Sequence, residues 1–185
     1  MSGARRKPAK RSAEVLLLVG SPSDLDHTLD SEQTLEELGI TSEIRVLSAH
    51  RTPDAAAACV RAAETDGFRV IIAFAGMAAH LAGVAAAHTR LPVIAVPLSV
   101  GPLAGVDAAL ASLQMPPGAP VAAVAIDGAR NAALLAARIL GVADARVRSR
   151  LSELAKRDTS RYEPKKIRAE IEKRRRARKK GSKRT

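Results

Sequence analysis

Ser48, His50 and Arg51 stand together in the stretch VLSAHRTPD, Val46 to Asp54, in a chain with four histidines. An imidazole can both donate and accept a proton near neutral pH. A guanidinium beside it offers a planar fork of donors suited to phosphate. A second cluster, Gly20-Ser21-Pro22-Ser23-Asp24, sets two hydroxyls and a carboxylate at a helix start, where backbone N–H groups favour an anion. Asp24 would repel a phosphate placed directly on it, so a sugar hydroxyl is its more sensible partner. A third cluster runs from Ala75 through Gly76, Met77, Ala78 and Ala79 to His80, and its small residues let a flat ligand approach the backbone. Singly, each has an ordinary structural explanation. Ser21, Ser23 and Asp24 can cap a helix, and His50 or His80 can bond a carbonyl. Together they point to a phosphorylated sugar ligand with a histidine available for proton transfer. The reaction does not follow from these residues. His27 and His88 read as helix-surface residues without a role.

The clusters converge only if the intervening elements place them so. Glu14–Gly20, Glu43–Leu47, Arg69–Phe74, Pro92–Val96 and Val121–Ile126 are short apolar or β-branched runs of strand type. Asp24–Leu38, Pro53–Thr65, Ala78–His88, Val106–Leu113 and Asn131–Leu140 carry apolar or small residues at helical spacing. Regular alternation predicts a parallel sheet covered on both faces, a flavodoxin-like, doubly wound three-layer α/β/α sandwich. In such sheets ligands bind beyond the carboxyl ends of the strands. All three clusters follow strands and fall on that edge.

Charge divides the chain. The net +11 splits into +5 over residues 1–11, −7 over 12–145 and +13 over 146–185. An acidic core thus carries basic N- and C-terminal extensions, and any nucleic-acid argument belongs to them. The boundaries expected are a basic arm at 1–12, a domain at 13–145 and a helical or disordered basic tail at 146–185. Glu163–Lys180 could form a helix, but it has too little apolar surface to fold alone. Salt-sensitive, sequence-independent polyanion or nucleic-acid binding is the partner expectation for the tails. The basic start followed by a short apolar stretch has signal-peptide order, yet only about six apolar residues follow Glu14, so a buried first strand fits better. No apolar run is long enough to cross a membrane. A single cysteine, Cys59, excludes an intrachain disulfide. A cytoplasmic protein is expected.

The ordered motifs Gly20-Ser21-x-Ser23-Asp24, Ser48-Ala49-His50-Arg51-Thr52-Pro53, Ala75-Gly76-x-Ala78-Ala79-His80-Leu81, Gly105-Val106-Asp107, Gln114-Met115-Pro116 and Asn131–Ala136 resemble the phosphoribosylaminoimidazole carboxylase catalytic-subunit family, in the form of its bacterial N5-carboxyaminoimidazole ribonucleotide mutase class. The resemblance implies a step of de novo purine synthesis in which a carboxylate moves from an exocyclic nitrogen to ring carbon C4 through trapped CO2. It implies His50 as general acid and base, and Ser21, Ser23, Asp24, Ser48, Arg51, Gly76, Ala78 and His80 as substrate-binding positions. It also implies no metal or organic cofactor, a ribonucleotide and CO2 as ligands, and a homo-octamer. The family loop usually reads Gly-Ala-Gly-Gly-Ala-Ala-His-Leu-Pro-Gly, so Phe74, Met77 and Ala82 depart from it, with Phe74 and Met77 expected to narrow the CO2 pocket or change the acceptable base. The segment Ile126–Asn131 is two residues shorter than the family form. A diverged paralogue acting on another ribonucleotide, or a non-catalytic nucleotide-binding core with polyanion-binding tails, stays open at this point.

Overall fold

The structure, a computed structural model, describes residues 13–160 and 162–181. Five parallel strands form one sheet: β1 Val15–Val19, β2 Ser42–Val46, β3 Val70–Gly76, β4 Val93–Leu98 and β5 Ala122–Ala123, in the order β2-β1-β3-β4-β5. The helices are α1 Leu29–Glu37, α2 Pro53–Ala62, α3 Leu81–His88, α4 Val106–Leu113, α5 Ala129–Gly141, α6 Ala145–Ser160 and α7 Pro164–Gly181. A 3-10 helix, Pro22–Thr28, precedes α1. The strand order reverses between β1 and β3, which is where a doubly wound sheet opens a crevice.

The alternation of side chains along the strands builds two cores. Val15, Leu17, Val19, Val70, Ile72, Phe74, Ile94, Val96 and Leu98 face α1, α5 and α6. Leu16, Leu18, Ile71, Ala73, Val93 and Ala95 face α2 and α3. Each fully buried Leu, Ile or Val contributes roughly 1.5–3 kcal/mol relative to exposure, so the central strands are held firmly from both sides. Their carboxyl ends are a stiff frame for the loops that follow.

Three boundaries differ from those read in sequence, each for a physical reason. The expected helix Asp24–Leu38 divides, because Pro22 starts a tight 3-10 turn that gives way to α1 at Leu29. The expected strand Val121–Ile126 pairs as a strand only at Ala122–Ala123. Pro97 of β4 turns its carbonyl toward this edge, accepting the Asp127 N–H at 2.8 Å. The N–H that proline lacks would have faced the same way, so the ladder loses a donor there. The basic extension beyond 145 also divides. Its first half, α6, buries Val147 and Leu154 against α5, and Leu151 packs with them. The Arg150 guanidinium donates to the Leu38 carbonyl at 2.9 Å, where Gly39 at φ +64° ends α1.

Candidate functional site

Thr52, Pro53 and Asp54 start α2 directly beyond β2. Thr52 is the N-cap, Pro53 occupies the first turn, where its missing N–H is harmless, and Asp54 is an acidic first-turn residue. The loop before it is tied to itself. Thr52 Oγ1 accepts the Ser48 N–H at 2.9 Å and donates to the Ser48 carbonyl at 3.2 Å. Ser48 Oγ accepts the N–H groups of His50 at 3.3 Å and Arg51 at 3.2 Å. Ser48 therefore shapes the turn that presents His50 and Arg51. Thr52 was missed as a site residue, although its spacing of four from Ser48 is the signal for such a clasp.

His50 meets His80 across the edge. Nε2 of His50 and Nδ1 of His80 are 2.7 Å apart, with the rings edge to face at 4.9 Å between centroids. One hydrogen must lie between these nitrogens. If His50 holds it, the outer nitrogen of neutral His50 is a bare lone pair and that of His80 carries a hydrogen. If His80 holds it, the two roles are exchanged. In either state the neutral pair presents one outward donor and one outward acceptor. Converting His50 from base to acid takes three linked moves: its outer nitrogen gains a proton, the shared hydrogen passes to His80, and the outer nitrogen of His80 releases its own. This pairing across 30 residues is invisible in sequence, although both histidines were singled out.

The β1 loop supplies the other polar group. Ser21 caps the 3-10 helix by accepting the Ser23 N–H at 3.3 Å, so its structural explanation holds. Its hydroxyl also meets Ser23 Oγ at 2.7 Å, and Ser23 donates to Asp24 Oδ1 at 3.1 Å. The roots of the three loops are joined by backbone bonds, Leu47 N–H to Val19 O at 2.9 Å and Gly20 N–H to Phe74 O at 3.1 Å. Arg51 is exposed, and its guanidinium makes no hydrogen bond or ion pair among the described residues. It is a cation left available for a ligand.

In the β3 loop, Gly76 accepts the Ala79 N–H at 3.0 Å, closing a turn around Met77 and Ala78. Met77 and Ala79 adopt φ of +54° and +42°, left-handed values that favour glycine. A Cβ on Gly76 would stand 1.8 Å from Val100 Cγ2, so the glycine is required for the β4 loop to pack against β3. Phe74 does not narrow the site. It is fully buried on the α1 and α5 face, away from α2 and α3, whose amino ends carry the histidines. Met77 is 57% exposed and lies beside Gly101 of the next loop.

Asp127, another residue missed in sequence, lies at the β5 end. It adopts φ +54°, its Oδ1 accepts the Ser99 N–H at 3.0 Å, and His27 Nδ1 is 3.8 Å away. Burial would raise the Asp127 carboxyl, but the Ser99 bonds and the His27 charge outweigh it and hold it below the ordinary value. The edge as a whole is open, with His50 and His80 both exposed. Two cavities, of about 350 and 440 Å³, lie at the opposite edge of the sheet, one beside Glu14, Arg69 and Arg150 and the other beside Arg61 and His88. Among the described residues, no group of three or more His, Cys, Asp or Glu side chains is arranged to hold a metal.

Sheet order, switch point and polar edge define a doubly wound α/β domain with an imidazole pair at the strand-end edge, where sheets of this kind bind ligands. The AIR carboxylase family pattern matches residues 14–161. The N5-carboxyaminoimidazole ribonucleotide mutase of Mycobacterium tuberculosis is 49% identical over 144 residues, spanning 78% of this chain and 83% of that protein. The protein of the same name from Brucella melitensis is 48% identical over 150 residues, spanning 80% and 93%. The crystal structure of Treponema denticola PurE superposes with a TM-score of 0.74 at 31% identity, covering 80% of this chain and 93% of that one. The chain belongs to the AIR carboxylase family.

Proposed function

We propose that this chain is a mutase of de novo purine synthesis that converts N5-carboxyaminoimidazole ribonucleotide to the C4-carboxylated isomer. The observation that carries the reading is the His50–His80 contact at 2.7 Å, set beside a free Arg51 on the switch-point edge. Protonation of the exocyclic nitrogen breaks its bond to the carboxylate and releases CO2. The electron-rich C4 then attacks CO2, and the C4 proton is removed. The proton given at the start is recovered at the end, so the reaction is a net isomerisation. A pair that always presents one donor and one acceptor suits such a cycle, with His50 as the acid and base and His80 as the partner that resets it. Arg51 and the serines hold the phosphate, Asp24 the ribose, and the Gly76–His80 loop covers the base. Holding CO2 against C4 matters because escaped CO2 is diluted into solvent.

An exposed imidazole pair needs walls to confine CO2. Val106, Leu110 and Leu113 make an apolar stripe along α4, Leu103 lies in the turn before it, and all four are 53–61% exposed. This stripe and the open edge support assembly as a homo-octamer, in which neighbouring copies would supply those walls. Among the described residues no helix is long and apolar enough to cross a membrane, and a cytoplasmic site of action accords with a small ribonucleotide substrate. The test is isomerisation by the purified full chain beside His50→Asn. Turnover in the parent and a loss of about 10²–10⁴-fold in the variant is expected. Absence of turnover by the well-folded parent would refute the reading and redirect the search to other ribonucleotides.

A further inference from the structure

The second half of the C-terminal extension takes no part in the chemistry above. Helix α7, Pro164–Gly181, has 18 residues. Its side chains from Lys165 to Arg174 are all exposed, including Ile167 at 41% and Ile171 at 45%. Yet it contains ten Lys or Arg against two Glu, and residues 173–180 read KRRRARKK. At 100° per residue, the basic positions 165, 166, 168, 173–176 and 178–180 fall around the whole circumference of the helix. A length of about 27 Å at 1.5 Å per residue gives one net positive charge per roughly 3.4 Å. That is close to the phosphate spacing along one strand of a duplex. The preceding helix ends with Asp158 paired to Arg130 at 3.0 Å, at the amino end of α5.

We propose that α7 is a preformed electrostatic arm that binds the phosphate backbone of nucleic acid without reading its sequence. The chemistry favours this over the other occupants of a basic helix. A helix lying on a lipid surface needs a broad apolar face, and here two isoleucines are followed on their own side by Arg174 and Arg178. Tyr162, at the base of the arm, is its sole aromatic residue, so stacking on splayed bases contributes little. Residues 12–145 carry a net −7 and repel a polyanionic backbone, which confines duplex contact to the arms. A preformed helix also avoids the ordering cost that a disordered tail meets on binding.

The test measures binding of the full chain to a 20-base-pair RNA duplex and the DNA duplex of matching sequence between 50 and 200 mM salt, with mutase turnover as an independent check of the core. If about five of the ten basic side chains meet phosphates, log K falls with log salt at a slope near −4.5, a loss of several hundred-fold over that range. The combined change Arg174→Gln, Arg175→Gln, Arg176→Gln keeps helix formers in place and is expected to lower the slope by one to three while leaving turnover unchanged. Similar affinity for unrelated sequences supports the proposal, and either duplex binding more tightly identifies the natural form. It is overturned by absence of binding at 50 mM salt, by an unchanged slope in the triple variant, or by tighter binding to phosphatidylglycerol vesicles than to duplex at equal phosphate. It is also overturned if removing residues 164–185 lowers the assembly mass while duplex binding stays, since the arm would then engage the acidic core of another copy.

Discussion

Replacing Met77 should reverse the usual stability order of alanine and glycine. At ordinary backbone angles glycine is less stable than alanine by roughly 0.5–1 kcal/mol, because its unfolded chain is freer. Met77 stands at φ +54°. A side chain with a Cβ meets a cost of about 1–2 kcal/mol in that region, which glycine escapes. Subtracting the entropic term leaves Met77→Gly more stable than Met77→Ala by about 0.75 kcal/mol at the middle of both ranges. Because Met77 is 57% exposed, loss of its own packing is small and is shared by both variants. The expected difference in midpoint is roughly 1.5–3 °C, read by thermal unfolding at fixed protein concentration because assembly also shifts the midpoint. A glycine variant less stable than the alanine variant would refute the strain argument and show that residue 77 relaxes out of the left-handed region. Retention of turnover in both would show that the loop's path, rather than the methionine side chain, serves the site.

The remaining predictions concern neighbouring parts of the same edge. Arg51→Ala should leave the melting temperature unchanged, because the guanidinium bonds to nothing among the described residues. It should raise KM about 10- to 150-fold through loss of a charge-assisted phosphate contact worth roughly 1.5–3 kcal/mol; an unchanged KM would remove Arg51 from the phosphate site. Gly76→Ala should destabilise by about 1–3 kcal/mol through overpacking against Val100, 1.8 Å from the added Cβ. Adding Val100→Ala should recover part of that loss, and strict additivity in the double-mutant cycle would disprove the clash. The Asp127 carboxyl is held below its ordinary value of 3.8, so its stabilisation is present above the unfolded-state value and lost as pH falls through the lower folded-state value. The gap in melting temperature between the parent and Asp127→Asn should therefore narrow below about pH 4; a gap independent of pH would count against the Ser99 bond.

The sequence by itself determined the class of fold and the chemistry at hand. Five apolar runs alternating with helices define a doubly wound sheet, because a strand buried on both faces must be apolar throughout. Ser21, Asp24, Ser48, His50, Arg51 and His80 were legible as candidates because each follows a strand, and strand ends are where such a sheet binds ligands. Other features were decided by contacts between distant residues. The pairing of His50 with His80 depends on β1 lying beside both β2 and β3, an order that no local pattern states. Phe74 was expected near the ligand from its place in the loop motif, but the two-residue period of β3 turned it into the opposite core. Helix α6 was hidden by its charge, since Val147, Leu151 and Leu154 occupy one narrow stripe of an otherwise polar helix and acquire meaning only when α5 covers them. Local periodicity is written along the chain, whereas strand order, facing and the partner of each side chain are properties of the packed whole.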